Sequence, residues 1–167
     1  GVRTILVPPA PGVLSALGLM VSDLRADYAR TCLQRPPHFN YGDMEAIFCE
    51  LEERANDWFV REGLQLRSRQ LQRSASLRYQ GQGFELSVPW SGKVDAESTA
   101  QCIRQFHALH RKLYTFALED APVEVITLGV TAVGTLSQPE LPRLEKSGPL
   151  KEALIGMQPV FFPEGAF

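Results

Sequence analysis

The fold class of this chain is decided by residues 70–88, QLQRSASLRYQGQGFELSV. Residues 70–79 predict one strand, and Gly81 and Gly83 then interrupt the pattern. In residues 84–88 apolar and polar side chains alternate, which is typical of a strand with one buried face. Two strands joined through a short glycine-containing turn form a hairpin. The stretch therefore predicts a β-hairpin in the middle of the chain.

A long amphipathic helix is predicted on each side of this hairpin. In the first helix Asp43 is a good N-cap and Gly63 suits the left-handed position at the end. Asp95 can cap the second helix. Each helix has one apolar stripe and can therefore pack against a sheet. The predicted stripes are Met44, Ile47, Phe48, Leu51, Ala55, Trp58 and Phe59, followed by Ile103, Phe106, His110, Leu113 and Ala117.

Two further strands are predicted outside the helices, at residues 24–33 and 123–135. The second would place Ile126, Leu128, Val130 and Ala132 on one face. The order strand, helix, strand, strand, helix, strand is that of the ferredoxin-like βαββαβ fold. We therefore predict an α+β domain over residues 23–136, with a four-stranded, mainly antiparallel sheet and two long helices on one face.

The two ends of the chain differ from this domain. Residues 4–9 predict a short strand, and residues 13–22 predict a helix that is apolar nearly all round and must be buried against something. Residues 137–167 are rich in Pro and Gly and predict an irregular tail. The chain begins with Gly1 and enters an apolar run at once. We expect it to be a segment of a longer polypeptide, with residues 1–22 left from a preceding domain.

Composition restricts the classes of partner. The 167 residues are 44% hydrophobic and 22% charged, with a formal net charge of −2, which argues against a nucleic-acid partner. No apolar run approaches the ~18 residues of a membrane helix. Cys32, Cys49 and Cys102 are too widely spaced for a metal knuckle or disulfide framework. We expect reduced thiols in a cytoplasmic protein.

The best candidate for a functional contact is the segment of residues 78–82, Arg-Tyr-Gln-Gly-Gln. In an extended segment Tyr79 shares a face with Leu77 and enters the core, which leaves Arg78 free to bind an acidic partner. The simpler interpretation is a polar hairpin turn. The functional interpretation is a surface that touches a substrate or another domain through Arg78, Tyr79 and Gln82.

Two histidines on the second predicted helix could either bind a metal or have a structural role. His107 and His110 are three residues apart, a spacing that can present two imidazoles to a metal. No nearby Cys or acidic residue completes a ligand set, so we predict a hydrogen-bonded, half-buried His110 that could touch a substrate or domain, and no metal site. An independent hydrolase using His110 and Glu85 is the weakest alternative, because no nucleophile–base pair is visible. We assign no catalytic residue.

Several patches, in the same order along nearly the whole chain, resemble the hydantoinase A/5-oxoprolinase/acetone carboxylase family. Residues 7–19, VPPAPGVLSALGL, resemble the end of its actin-like catalytic domain, and residues 23–31 follow in the expected place. Residues 78–86 are similar to its Arg-Tyr-x-Gly-Gln segment, and residues 106–124 to its next helix and strand. One departure is Thr115, which stands where the family often has Gly.

The resemblance implies a parent enzyme that uses ATP and Mg²⁺ to activate a ring carbonyl for hydrolysis, as with hydantoins or 5-oxoproline. It implies that residues 1–22 are a remnant of the preceding actin-like catalytic domain and that the phosphate-binding motifs lie upstream. This segment would then bind no cofactor and would be inactive alone. Its implied partners are the rest of the parent chain, with the actin-like ATPase domain, and a hydantoinase B-type subunit.

Two alternatives to a C-terminal accessory domain of such a hydrolase stay open. One is a free-standing ligand-binding or regulatory module with the same α+β fold, which would bind a small molecule by itself. The other is a subunit fragment of an acetone-carboxylase-like enzyme, since a related branch of the family carboxylates ketones.

Overall fold

The computed structural model describes residues 4, 11–63, 66–137, 156, 161–162 and 165–166. The predicted strand at residues 4–9 therefore lies almost wholly outside the described residues. In chain order the elements are the 3₁₀ helix η1 (Pro11–Val13), α1 (Leu14–Met20), β1 (Leu24–Gln34), α2 (Tyr41–Glu62), β2 (Leu66–Tyr79), β3 (Leu86–Pro89), α3 (Ala96–Tyr114), β4 (Val123–Leu136), β5 (Phe161–Phe162) and β6 (Gly165–Ala166).

Strands β1 to β4 form one sheet in the spatial order β1-β4-β2-β3, and every neighbouring pair is antiparallel. The predicted α+β class, the four-stranded antiparallel sheet and the βαββαβ chain order are confirmed. The interior strands are β2 and β4, whereas a ferredoxin-like sheet has its first and third strands inside. Both interior strands have 14 residues and pair with each other along nearly their whole length.

The core lies between the two long helices and one face of the sheet. Helix α2 packs over β1 and β4, and α3 packs over β3 and β2. The predicted stripe of α2 is confirmed, because its five central apolar side chains are at most 1% exposed. The predicted stripe of α3 is right for Phe106 and His110 and wrong at its end: the helix stops at Tyr114, so Ala117 lies beyond it, and Leu113 is 55% exposed. The buried helix residues are Met44, Phe48, Leu51, Ala55 and Phe59 in α2, and Thr99, Cys102, Phe106 and His110 in α3.

The helix ends follow local chemistry, with one correction. Asn40, and not Asp43, caps α2: its side-chain oxygen accepts a hydrogen bond from the Asp43 backbone N–H at 3.2 Å. Asp43 instead lies in the first turn, where a carboxylate interacts favourably with the helix dipole. Gly63 ends α2 in the left-handed region, and Asp95 caps α3, both as predicted. Ser98 completes a capping box with Asp95.

A β-bulge in β4 corrects the predicted alternation of that strand. Ser76 of β2 pairs with Thr127, but the next residue, Leu77, pairs with Val125. Ile126 is therefore an extra residue in β4, and it does not share the face of Leu128. Both Val125 and Leu128 are fully buried as a result. The side chains of β4 before the bulge therefore point to the opposite faces from those expected in a regular strand.

Two apolar segments remain exposed. Strand β3 begins at Leu86, and Phe84, predicted to be part of it, is 82% exposed in the preceding loop. Around α1, Val13, Leu14, Leu19 and Met20 are each at least 49% exposed. The sequence predicts that this helix is buried, but the described residues do not bury it. Among those residues, no helix is both long enough and apolar enough to span a membrane.

A charged group joins the sheet to the helices. Arg73 of β2 donates to both carboxylate oxygens of Glu52, at 2.6 and 2.9 Å, and to Glu45 at 3.0 Å. Its guanidinium carbon lies 4.7 Å from the centre of the Phe48 ring. The second oxygen of Glu45 accepts the Val94 backbone N–H at 2.8 Å. Arg73 is thus held by ion pairs within the domain.

Thr115 at the end of α3 generates a stability prediction. It is a β-branched residue at φ 72°, in the left-handed region where glycine is favoured. We expect Thr115→Gly to raise the unfolding free energy by about 1 kcal/mol, measured by urea denaturation. The matched control is Gly63→Ala at φ 60°, which should lower it by a similar amount. A Thr115→Gly chain no more stable than the parent would contradict the prediction.

Candidate functional site

The structure divides the four predicted contact residues between the two sides of the sheet. Gln82 and His110 line one pocket next to α3, and the rings of Tyr79 and His110 are 5.0 Å apart. Arg78 lies on the open face, the face turned away from the helices, because neighbouring strand residues point to opposite sides. Tyr79, Gln82 and His110 are thus brought together, and Arg78 is not part of that group.

Tyr79 enters the core and is 1% exposed. Its hydroxyl accepts the Leu118 backbone N–H at 2.9 Å and lies 2.9 Å from Nδ1 of His107. Because the hydroxyl has one proton, it can donate that proton to a neutral His107. Burial lowers the pKa of His107, and the charges of Arg111 and His110 act in the same direction against the opposing effect of Glu119. This arrangement therefore favours the neutral imidazole.

His110 is buried, with 6% of its surface exposed. Its Nδ1 lies 2.7 Å from the carbonyl oxygen of Phe116, and since a carbonyl can only accept, Nδ1 carries the hydrogen. Its ring also packs against Tyr114 at 4.7 Å between centroids. Within the described ranges, no three His, Cys, Asp or Glu side chains are grouped so that they could hold a metal ion. The surroundings of His110 suit a positioned, hydrogen-bonded ring.

A small pocket opens where the β2–β3 loop meets the end of α3, and we call it the aromatic pocket. It encloses about 260 Å³, near the lower limit for ligand sites and enough for a single ring. Gln82 supplies a half-exposed amide at its edge, and His110 forms part of its wall. The lining residues are Gln82, Gly83, Phe84, Leu86, His110, Tyr114 and Phe116.

The sequence predicted that Arg78 would be free, and this prediction is wrong: on the open face Arg78 is paired. Its Nε donates to Oε2 of Glu124 at 3.0 Å, and Nε of Arg35 donates to Oε1 of the same carboxylate at 2.7 Å. We call these three residues the arginine–glutamate cluster. Burial acts to raise the pKa of Glu124, but the hydrogen bonds and charges of Arg78 and Arg35 outweigh it and hold the pKa below its ordinary value.

Sequence reasoning did not identify Glu124 and Arg35 as site residues. A signal existed for Glu124, since a lone carboxylate inside an apolar strand needs a cationic partner when it is buried. Glu124 is 1% exposed. No comparable signal existed for Arg35, which lies 89 residues away and meets Glu124 only through the pairing of β1 with β4.

The lowered pKa of His107 generates a pH prediction. Its folded-state pKa lies below the ordinary value of about 6.5, so the unfolded chain binds more protons as the pH falls through that value. The unfolding free energy should therefore decrease from pH 7 toward pH 5, before Glu45 and Glu124 titrate. Urea denaturation at several pH values should give a smaller slope for His107→Gln than for the parent. His38→Gln, which removes an imidazole from the turn after β1, is the control, and equal slopes in all three chains would refute the assignment.

Comparisons with known proteins were made over the whole chain. The sequence model described as the hydantoinase/oxoprolinase C-terminal domain matches residues 39–165. An uncharacterized protein of Methanocaldococcus jannaschii is 33% identical over 140 residues, which cover 84% of this chain and 19% of that protein. Caprolactamase subunit alpha of Pseudomonas jessenii is 29% identical over 170 residues, which cover 97% of this chain and 24% of that protein.

Two solved structures have the same fold over most of the chain. ATP-dependent caprolactamase from Pseudomonas jessenii superposes with a TM-score of 0.71 at 27% identity, over 92% of this chain and 23% of that one. The nucleotide-free structure of acetone carboxylase superposes with a TM-score of 0.74 over 96% of this chain and 25% of that one. Its identity is 19%, so it shows the fold alone.

The chain spans about a quarter or less of the length of each of these relatives. The family match itself covers well over half of the chain, from before α2 to the end of the described residues. The resemblance to this family is thereby confirmed, and the patches at residues 78–86 and 106–124 lie within the matched range. This chain belongs to the hydantoinase/oxoprolinase C-terminal domain family.

Proposed function

We propose that this chain is the C-terminal accessory domain of an enzyme that uses ATP to hydrolyse a cyclic amide. The likeness to caprolactamase subunit alpha over 97% of the chain supports this reaction class. The likeness to acetone carboxylase adds no argument for a substrate, since it concerns the fold. In this proposal the chain shapes and closes a cleft whose reacting groups belong to the rest of the enzyme.

The observation that carries this role is the exposed apolar helix α1. Leu19 is 76% exposed and Met20 is 60% exposed, although both belong to a helix with no polar face apart from Ser15. A contiguous apolar surface of this kind marks a contact with another protein surface. We assign as its occupant the actin-like ATPase domain of the same polypeptide, because the chain matches only 19–24% of the length of its relatives.

The aromatic pocket is the second contact in this proposal. Its apolar walls and the single amide of Gln82 suit a ring with one polar edge, or an apolar side chain beside a substrate cleft. His110 forms part of its wall and Tyr79 lies behind it, and both are buried and hydrogen-bonded to the segment that follows α3. Their role is to hold the end of α3 against the β2–β3 loop.

ATP and Mg²⁺ are proposed to bind outside this chain. When bound, they supply phosphorylation of the amide oxygen, which turns a poor electrophile into a good one. Among the described residues no acidic or histidine cluster could hold the metal ion, and the sequence contains no Gly-x-x-x-x-Gly-Lys loop. These residues do not fit the cofactor, so no step of the reaction is assigned to them. A hydantoinase B-type subunit is the further proposed partner, supported by the subunit name of the caprolactamase relative.

The docking role of α1 is tested by a charge placed on it. In the full-length enzyme, Leu19→Glu should weaken docking by about 2 kcal/mol and lower the rate of amide-dependent ADP release, because a buried apolar contact becomes an unpaired charge. In the 167-residue chain by itself the same change should leave the unfolding temperature unaltered.

Val60→Glu is the matched control for this test, since Val60 is 72% exposed on the outer side of α2. It should alter neither the ADP release of the full-length enzyme nor its unfolding temperature. A Leu19→Glu enzyme as active and as stable as the Val60→Glu enzyme would remove the docking role. ADP release by the 167-residue chain alone would favour an independent enzyme instead.

The contact made by the aromatic pocket is tested at Gln82. Gln82→Ala in the full-length enzyme should lower kcat/KM about threefold to tenfold, the worth of one hydrogen bond, without changing the unfolding temperature. Gln101→Ala, on the exposed side of α3, should change neither quantity. Arg78→Ala is a poorer test, because it also removes a partner of the buried Glu124. Unchanged kinetics in Gln82→Ala would refute the contact.

A further inference from the structure

The arginine–glutamate cluster occupies one end of the open face, on the side of the sheet opposite the aromatic pocket. Arg35 directly follows β1, Glu124 lies at the start of β4, and Arg78 lies at the end of β2. The three adjacent strands thus bring one charged side chain each to the same place. The carboxylate is 1% exposed, whereas the side chains of Arg35 and Arg78 are 57% and 27% exposed.

The charges and donors of this cluster are unevenly matched. Two guanidinium groups carry two positive charges, and Glu124 supplies one negative charge, so the cluster has a net charge of +1. Each arginine uses only its Nε on Glu124. Among the described residues, the terminal nitrogens of both arginines have no hydrogen-bond acceptor, and no second carboxylate forms a salt bridge with either of them.

Arg73 is an example of an arginine in this chain whose hydrogen-bond donors are paired within the domain. Its Nε and Nη2 donate to the two oxygens of Glu52, and its Nη1 donates to Glu45, so that two carboxylates surround one guanidinium. The arginine–glutamate cluster has the inverse arrangement, with two guanidinium groups around one carboxylate. Glu124 orients both planar groups through Nε, and within the described part of the chain their terminal nitrogens keep no acceptor.

We propose that Arg35 and Arg78, oriented by Glu124, form a binding site for an oxyanion of the carboxylate or phosphate class. A guanidinium binds such groups through two parallel hydrogen bonds, and two guanidinium groups held together add charge and geometric selectivity. This site lies beyond the proposed amide-hydrolase role and does not depend on it. The anion comes either from a small molecule in solution or from an acidic side chain elsewhere in the full-length polypeptide.

The first arm of the test uses the 167-residue chain. Its unfolding temperature is measured against the concentration of inorganic phosphate and, separately, of glutarate, at ionic strength kept constant with chloride. An anion that binds only the folded chain raises this temperature with concentration. We expect a saturable rise, with an affinity at least tenfold weaker in Arg35→Gln. Arg35→Gln leaves Glu124 paired with Arg78, and circular dichroism checks that it folds.

The matched control is Arg25→Gln, on the open face of β1, where the Arg25 side chain is 62% exposed. It should bind both anions as the parent chain does. An identical rise in the parent, Arg25→Gln and Arg35→Gln chains would reflect a general salt effect and would overturn the site. The absence of any rise in the parent chain would also overturn it.

The second arm repeats the measurement with the full-length protein and separates the two sources of the anion. If a small molecule supplies the anion, glutarate should stabilise the full-length protein as it does the chain, and Arg35→Gln should weaken this effect. If an acidic side chain occupies the site, glutarate should have no effect there, and Arg35→Gln should itself lower the unfolding temperature. A full-length Arg35→Gln protein identical to its parent in both respects would overturn the proposal.

Discussion

The position of the helices depends on the charged contact that Arg73 makes between the sheet and α2. Its guanidinium binds Glu52 and Glu45, and Glu45 also accepts the Val94 backbone N–H, so one side chain connects β2, α2 and the segment before α3. Loss of Arg73 would leave two partly buried carboxylates facing each other without a cation, which would destabilise the fold.

The elements that sequence predicted correctly are those set by local physical chemistry. The stripe around Phe48 and Phe59, the left-handed Gly63 and the Asp95 cap all depend on residues within one or two helical turns of each other. The burial of Tyr79 also followed from simple alternation with Leu77. These features gave the α+β class and the chain order of strands and helices.

The features that could not be predicted from the sequence depend on contacts between residues that are far apart along the chain. Neither the bulge at Ile126 nor the partner of Arg78 can be found without the register between β2 and β4. The cap of α2 was misassigned because Asn40 and Asp43 are both good caps, and only the path of the chain after β1 chooses between them. Of the candidate site, the residues were found in part, and their division between two faces was not.

The extra residue in β4 has a consequence for comparisons within the family. In a strand of regular alternation, Leu128 facing inward would bring Glu124 inward too and turn Val125 to the solvent. The bulge at Ile126 reverses this order, so Glu124 lies on the open face, where it pairs with Arg35 and Arg78, and the two valines beside it stay buried. A single-codon insertion or deletion at this point would exchange the two surfaces of the strand end at once. Members of the family that differ in length here should therefore differ in whether they have an arginine–glutamate cluster.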